Sequence, residues 1–171
     1  MKKYKVLFCD LDGTLIDTIS EETFPKGIWD MKLKFDVLDA IKKLAPEYVF
    51  IVSNQGGIEK GFVNVQNFES KIKYICNIIN DYCQVLNRNI DYFYCSVNDK
   101  SNKDRKPNIG MLEYFYKEFI RICDRIYKQD CLMIGDASGL EGQFSDTDKK
   151  TAENFGIDYL DVNEFVKLYN N

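Results

Sequence analysis

The stretch "FCDLDGTL", residues 8–15, runs an apolar segment directly into two carboxylates and a Gly-Thr turn. Asp10 and Asp12 are separated by Leu11, so at the end of a strand the two acids flank a residue that points into the core. Two carboxylates this close repel each other, and the end of a buried strand solvates them poorly. The pattern therefore predicts a hard cation between them, with one carboxylate acting as nucleophile. For these residues alone, a solvated Asp-Gly turn is the alternative interpretation.

The composition indicates a globular protein and limits its chemistry. The chain has 171 residues, of which 45% are hydrophobic and 14% aromatic, so we expect residues 1–171 to form a single domain with a real core. The sequence contains no histidine, which excludes histidine triads and histidine metal sites. A net charge of −4 disfavours a large nucleic-acid surface but allows a local basic patch.

Neither a membrane segment nor a disulfide framework is indicated. The apolar run "YVFIV", residues 48–52, is too short to span a bilayer, and the N-terminus lacks the apolar region of a signal peptide. We therefore expect a cytoplasmic protein with no membrane partner. The chain has no CxxC pair, and buried free thiols are the expected state of its six cysteines, at positions 9, 76, 83, 95, 123 and 131.

Strand and helix patterns alternate along the chain. Strands are predicted at residues 4–9, 48–52, 92–97, 131–135 and 157–162. Helices are predicted at residues 36–45, 67–86, 112–126 and 163–169, with a further helix that ends near Gly156. This alternation predicts a parallel sheet with helices on both faces, in which ligands bind at the carboxyl ends of the strands.

The polar residues of interest all fall at those predicted strand ends. Asp136 adds a third acid, and three acids at adjacent strand ends are costly without a divalent cation. Ser53 and Asn54 open a turn whose hydroxyl and backbone N–H groups suit phosphate oxygens. Lys106 precedes Pro107, which we expect at the first position of the next helix. Taken singly, the turn residues and the lysine also fit an ordinary turn and a surface side chain.

Two further acids lie in "FSDTDKK". Asp146 and Asp148 are predicted to open a helix, where carboxylates suit capping and the helix dipole. A role for either acid in the site requires that the fold bring it close to Asp136.

The ordered set "DLDGT", Ser53, Lys106 and "GDASG" followed by an aspartate resembles the four motifs of the haloacid dehalogenase-like (HAD-like) phosphatases, over nearly the whole chain. Within that superfamily, "TFPKGIWD", "SNQGGIEKG", "RKPNIGM" and "FSDTDKKTAENFG" are similar to the polynucleotide 3′-phosphatase branch. "SNQGGI" and "RKPNIGM" are also similar to histidinol-phosphate and heptose-bisphosphate phosphatases, which often carry a Cys/His zinc loop before "RKP". Here that loop, "CSVNDKSNKD", keeps only Cys95, and "EKG" at Lys60 replaces the "GRG" typical of the nucleic-acid branch.

The resemblance implies an α/β fold with a three-layer, Rossmann-like parallel sheet. The segments from Asp12 to Ser53 and from Ser53 to Lys106 are too short for a cap domain. We expect only a short flap after the first strand, at about residues 14–30.

The resemblance also implies a set of roles. The implied reaction is Mg²⁺-dependent hydrolysis of a phosphate monoester through an aspartyl-phosphate, with Asp10 as nucleophile and Asp12 as general acid and base. Magnesium is assigned to Asp10, the backbone carbonyl of Asp12, and Asp136. The substrate phosphate is assigned to Ser53, Asn54 and Lys106. Asp148 supports the site, and ranks above Asp146 because it keeps the family's spacing to Gly156.

An open, uncapped site favours a polymer end, and we expect the 3′-phosphate of DNA or RNA as substrate. Aromatic rings stack on bases and cations follow phosphates, and the candidate contacts are Phe24, Lys26, Trp29, Lys60, Lys100, Lys103 and Arg105. One alternative is a small-molecule phosphatase for a sugar, amino-alcohol or histidinol-type phosphate. Another is a catalytically degenerate binding module. The sequence has no GxxxxGK[ST] loop of a kinase.

Overall fold

A parallel sheet forms the centre of the protein, in a computed structural model that describes residues 2–86, 89–120 and 126–171. Within these residues the strand order is β5-β4-β1-β6-β7, with every neighbouring pair parallel. The strands are β1 (Val6–Cys9), β4 (Tyr48–Asn54), β5 (Ile90–Cys95), β6 (Cys131–Gly135) and β7 (Asp158–Asp161). A separate antiparallel pair is formed by β2 (Ile16–Asp17) and β3 (Lys32–Leu33).

Amphipathic helices connect the strands. They are α1 (Phe35–Leu44), α2 (Gly56–Glu59), α3 (Val65–Cys83), α4 (Gly110–Phe115), α5 (Thr147–Phe155) and α6 (Val162–Asn170). The apolar stripe of α3 is buried through Phe68, Ile72, Ile75 and Ile79, as its helical spacing predicts. Across the described residues, no helix combines the length and apolar character that crossing a bilayer requires.

The sheet separates two hydrophobic cores, because successive side chains of a strand point to opposite faces. Leu7 and Cys9 of β1 belong to the core shared with α1, α3 and α6. Phe8 belongs to the opposite core, where Phe50 stacks on Phe115 of α4 with ring centroids 4.3 Å apart. The predicted three-layer α/β fold is therefore confirmed.

The chain between β1 and α1 forms the short flap that the sequence predicts. Asp30 is only 1% exposed and ties the flap together, since it accepts hydrogen bonds from the Ser20 hydroxyl (2.6 Å) and the backbone N–H of Lys26 (2.8 Å). These hydrogen bonds lower the pKa of Asp30 to about 2. Among the described segments, none forms a cap domain over the sheet.

The segment before α4 departs from the prediction. Pro107 is not the first helical residue, because α4 begins at Gly110. Side-chain hydrogen bonds hold the preceding loop instead: the Asn108 amide donates to the carbonyls of Lys100 and Asn102, at 2.9 Å and 2.8 Å. The helix predicted at 112–126 continues α4 as a π-helical turn, Tyr116–Ile120. The predicted apolar position 122 lies outside the described residues.

The described cysteines match the expectation of free thiols. Cys9, Cys83, Cys95 and Cys131 are buried, and Cys76 is half-buried. Burial raises the pKa of Cys83 to about 11 and that of Cys131 to about 12. The thiols of Cys83 and Cys131 are therefore protonated and unreactive at neutral pH. The cysteine at position 123 lies outside the described residues.

Candidate active site

The carboxyl edge of the sheet brings the predicted site residues together. Asp10 directly follows β1, and Asp136 directly follows β6. Ser53 is the next-to-last residue of β4. Lys106 reaches them from the loop between β5 and α4, and Asp148 from the first turn of α5. Residues far apart in the sequence therefore meet at the edge where parallel sheets bind ligands.

Lys106 lies at the centre of this cluster. Its ammonium nitrogen is 2.5 Å from Asp10 Oδ1 and 2.7 Å from Asp148 Oδ1, and the residue is 3% exposed. Burial alone lowers the pKa of a lysine, but the two carboxylates reverse this effect and raise the pKa of Lys106 above its usual value. Lys106 is therefore a fixed, permanently positive group inside the site.

Three carboxylates lie close together here, and two of them contact the Lys106 ammonium. One oxygen from each of Asp10, Asp136 and Asp148 lies within 4.8 Å of the other two. Burial raises the pKa of Asp10, and the neighbouring carboxylates raise it further against the opposing effect of Lys106. Burial and Asp148 likewise raise the pKa of Asp136. The cluster therefore carries more negative charge than Lys106 balances, which suits a divalent cation.

Two glycines make room for the carboxylates. A Cβ atom on Gly13 would lie 2.2 Å from Asp136 Oδ2, and Gly13 also has a left-handed φ of +81°. A Cβ atom on Gly135 would lie 2.2 Å from Asp148 Oδ2. Gly13, in the turn after β1, thus allows Asp136 to approach the backbone closely. Gly135, the last residue of β6, does the same for Asp148.

Asp148, rather than Asp146, joins the cluster. Asp148 is 1% exposed, and its second oxygen accepts a hydrogen bond from the backbone N–H of Ala137 at 3.2 Å. Asp146 precedes α5 without a side-chain capping hydrogen bond and pairs with Lys150 at 2.6 Å on the surface. Asp146 is therefore the N-cap residue of α5, as predicted, but its carboxylate makes no capping hydrogen bond.

The side chain of Asn54 contacts the backbone of Lys106. Its amide nitrogen donates to the Lys106 carbonyl at 3.0 Å, and its carbonyl oxygen accepts from the Lys106 N–H at 2.9 Å. Both the nitrogen and the oxygen of the Asn54 amide are thus hydrogen-bonded to the backbone of Lys106. Asn54 therefore holds the segment that carries Lys106 in place.

Gln55 connects Asp12 with Ser53 and is a residue that the sequence reasoning missed. Its side-chain nitrogen lies 2.5 Å from Asp12 Oδ2 and 2.8 Å from Ser53 Oγ. Gln55 and Ser53 are buried, whereas Asp12 is exposed at the mouth of the site. The only available signal was the position of Gln55 in the "SNQGG" turn cluster.

Lys34 is a second residue that the sequence reasoning missed. Its ammonium donates to the Gly13 carbonyl at 2.7 Å, and its charge lowers the pKa of Asp136 against the larger effect of burial. Lys34 directly precedes α1, in a segment where the sequence offers no motif.

The loop after β6 is held by Asp161, at the end of β7. Asp161 Oδ2 accepts hydrogen bonds from the Ser138 hydroxyl and the Gln143 amide, both at 2.6 Å. Asp161 Oδ1 accepts from the backbone N–H of Asn163 at 2.9 Å and so caps α6. This buried network fixes the loop that begins at Asp136.

The candidate substrate contacts lie on the flap and on two neighbouring loops. Phe24 packs against Phe62, with ring centroids 5.1 Å apart, while Trp29 is 69% exposed. The guanidinium of Arg105 donates to the Val97 carbonyl at 2.9 Å. The four candidate lysines are exposed: Lys26, Lys60, Lys100 and Lys103.

A solved structure shares this architecture. The D,D-heptose 1,7-bisphosphate phosphatase from B. bronchiseptica, complexed with magnesium and phosphate, superposes with a TM-score of 0.68 at 20% identity, covering 91% of this chain and 78% of the other. An uncapped parallel sheet with an acidic cluster at its carboxyl edge, together with this likeness, defines the fold class: the fold of the HAD-like phosphatases.

Within that class, the chain belongs to the polynucleotide kinase 3 phosphatase family, whose family model matches residues 5–166. It is 33% identical to the bifunctional polynucleotide phosphatase/kinase of Schizosaccharomyces pombe, over 96% of this chain and 38% of the relative. It is 29% identical to the histidine biosynthesis bifunctional protein HisB of Actinobacillus pleuropneumoniae, over 90% of this chain and 39% of the relative. The chain thus spans well under half the length of these two relatives.

Proposed function

We propose that this protein is a Mg²⁺-dependent phosphomonoester hydrolase that removes the 3′-phosphate from nucleic-acid ends through an aspartyl-phosphate on Asp10. The observation that carries the proposal is the family match across residues 5–166, which contain every residue of the acidic cluster and Lys106. A catalytically degenerate binding module does not need a complete set of such residues. In this chain, the acidic cluster and Lys106 are all present.

The acidic cluster fits Mg²⁺, because its donors are all oxygen atoms and its carboxylates outnumber the one ammonium among them. The side chains of Asp10 and Asp136 and the backbone carbonyl of Asp12 would hold the ion, with Asp148 in support through Lys106. When bound, Mg²⁺ neutralises charge on the phosphoryl oxygens.

The chemistry itself is assigned to side chains of the protein. A carboxylate oxygen of Asp10 bonds to phosphorus while the bond to the substrate alcohol breaks, and Asp12 donates a proton to the departing oxygen. Asp12 then takes a proton from the water that cleaves the aspartyl-phosphate, which releases inorganic phosphate and restores both acids. Lys106 and Ser53 stabilise the phosphoryl oxygens throughout.

The nucleic-acid substrate is inferred from the relatives and from the open edge of the sheet. The Schizosaccharomyces pombe relative is named for a polynucleotide phosphatase activity. Without a cap, a phosphate at the end of a long chain can reach Asp10, and the exposed ring of Trp29 on the flap is available to stack on a base.

A small-molecule phosphate is the second candidate, favoured by an acidic cavity beside Asp12. This cavity of about 620 Å³ is lined by Asp17, Glu21 and Glu22 as well as by Asp12. Its negative charge disfavours a phosphodiester backbone and tolerates a neutral or cationic leaving group. The D,D-heptose 1,7-bisphosphate phosphatase described above is named for a small substrate of this kind.

The domain organisation of the protein and the compartment in which it works are also inferred. We infer that residues 1–171 form one domain, and that it works in the reducing cytoplasm, where the free cysteines described above remain thiols.

We expect a 3′-phosphorylated oligonucleotide to give a higher kcat/KM than a panel of small phosphates at one fixed ionic strength. Since its neighbouring phosphates also bind the protein, its KM should rise steeply with salt. Lys103→Ala should raise KM several-fold, whereas Lys167→Ala, on the exposed side of α6, should not. A preference of more than about tenfold for a small phosphate, roughly 1.4 kcal/mol, would replace the nucleic-acid assignment with the second candidate.

We expect Mg²⁺ to raise the melting temperature by about 5–11 °C at a concentration near 100 Kd, since ligand binding adds about 2.7 kcal/mol of stability there. The shift should shrink as the pH falls, because protons compete for Asp10 and Asp136, whose pKa values are raised. Asp136→Asn should remove the shift, and Asp146→Asn should keep it. Stoichiometric zinc in the purified protein, measured by elemental analysis, would contradict the magnesium assignment.

A further inference from the structure

The side chain of Gln55 contacts two groups of the site with one atom. Gln55 Nε2 lies 2.5 Å from Asp12 Oδ2 and 2.8 Å from Ser53 Oγ. The amide nitrogen faces Asp12 Oδ2, and this contact suits both an ionised Asp12 and one protonated on Oδ1, because Oδ2 is an acceptor in either case. An amide nitrogen carries two N–H groups, and these two contacts use both of them.

The rest of Gln55 is held in place, so these contacts are pre-organised. The residue is 7% exposed. Its backbone N–H donates to the Cys95 carbonyl of β5 at 2.7 Å, and its own carbonyl accepts from Ile58 in α2 at 3.0 Å. Gln55 is thus anchored to the edge of the sheet and to the helix that follows.

The contact with Asp12 distinguishes the two oxygens of its carboxyl group. Because Oδ2 accepts a hydrogen bond from Gln55, a proton carried by Asp12 is placed on Oδ1 instead. The same contact limits rotation of a carboxyl group that is otherwise exposed at the mouth of the site. Asp12 is therefore held with one oxygen bound and the other available to the leaving group.

The contact with Ser53 directs the serine hydroxyl. Ser53 Oγ accepts one N–H from Gln55, so its own O–H must point away from Gln55. Ser53 is 1% exposed and lies at the carboxyl end of β4, so the proton is directed toward the position proposed for the phosphate.

We propose that Gln55 is a positioning residue for proton transfer: it fixes Asp12 so that Oδ1 delivers the proton to the leaving oxygen, and it orients the Ser53 hydroxyl toward the phosphate. The proposal rests on the proposed function, since it presupposes that Asp12 is the general acid. Gln55 itself donates no proton to the substrate and acts through its two neighbours.

The test compares two esters of similar size with different leaving groups, 4-nitrophenyl phosphate and 4-nitrobenzyl phosphate. The nitrophenol leaves without a proton, whereas the benzylic alcohol needs one, so only the second reaction depends on the general acid. General acid catalysis contributes about 10²–10⁴-fold. We expect Gln55→Met to lower kcat/KM by about 100-fold for the benzyl ester and by less than about tenfold for the phenyl ester.

The ratio of the two kcat/KM values is the decisive measurement. Both values come from one protein sample, so partial unfolding of Gln55→Met cancels from the ratio. Asp12→Asn should change the ratio in the same direction, and Gln55→Met should change it no further in the Asp12→Asn background. Gln66→Met, at an exposed position of α3, should leave the ratio at its wild-type value.

The outcomes separate this proposal from the proposed function. Equal losses on both esters, or an undiminished effect of Gln55→Met in the Asp12→Asn background, would overturn the role of Gln55 alone. A wild-type protein that hydrolyses neither these esters nor a 3′-phosphorylated oligonucleotide with Mg²⁺ would overturn the proposed function, and the role of Gln55 with it.

Discussion

Asp10→Asn is expected to lower kcat/KM by at least about a thousandfold while the protein stays folded. The amide keeps the size of the carboxyl group but is too weak a nucleophile to bond to phosphorus. Lys106 loses one of its two carboxylate partners and keeps the other, Asp148. Because the pKa of Asp10 is raised by burial, a neutral side chain is less costly to bury there. The free energy of unfolding should therefore be unchanged or higher.

Two measurements decide this prediction. Steady-state assays give the loss of activity, and mass spectrometry of acid-quenched wild-type protein should find phosphate on the peptide that contains Asp10. Asp146→Asn is the matched control, since that acid lies outside the cluster and pairs with Lys150 on the surface. Activity of Asp10→Asn within about tenfold of wild type, a loss under about 1.4 kcal/mol, would contradict the nucleophile assignment.

Lys106→Met is expected to abolish activity and also to destabilise the fold, by about 3–5 kcal/mol for the metal-free protein at pH 8. The ammonium is buried between Asp10 and Asp148, with its side chain only 2% exposed. Removing it leaves buried carboxylates without a cation. The same substitution removes a charge that the proposed reaction uses to stabilise the phosphoryl group.

The pH dependence identifies the cause of this instability. The pKa of Lys106 is raised, so its contribution is fully present below the usual lysine pKa and is lost only at strongly alkaline pH. Between pH 8 and pH 5 the wild-type protein therefore keeps the whole contribution. In Lys106→Met, Asp10 can become neutral as the pH falls, because burial raises its pKa, so the deficit should shrink toward pH 5.

Urea unfolding at pH 8 and pH 5 measures both effects. Lys167→Met, at an exposed position on α6, is the control and should change stability by less than about 0.5 kcal/mol. A deficit in Lys106→Met that stays constant with pH would mean that lost packing, rather than uncompensated charge, is responsible.

The sequence predicted the fold well because hydrophobic periodicity is local. The apolar run before Asp10 and the helical spacing of α3 each lie within one element, so each can be recognised without knowing its neighbours. Strand–helix alternation then placed the polar ends on one edge, and the order of the motifs selected Lys106 and Asp148. Boundaries were less accurate at α4, where the amide of Asn108, rather than Pro107, organises the preceding loop.

The missed residues of the site share a different property. Gln55 contacts Asp12 across 43 positions of sequence, and Lys34 contacts Gly13 across 21. Neither residue has a neighbour whose type or spacing reveals the contact. The crossover from β1 to β4 brings Gln55 to Asp12, and the antiparallel pairing of β2 with β3 brings Lys34 to Gly13. Tertiary hydrogen bonds of single polar side chains therefore remain beyond what periodicity and motifs can predict.

Asp161 links α6, at the end of the given sequence, to the loop that carries Asp136. One of its oxygens caps α6, the nine-residue helix that follows, and the other holds Ser138 and Gln143 in the loop of Asp136. Because both sets of hydrogen bonds involve the one carboxyl group of Asp161, a displacement of this residue would disturb the start of α6 and the loop of Asp136 together. A fused partner or a neighbouring domain that displaces α6 would therefore lower the turnover rate without contacting the substrate.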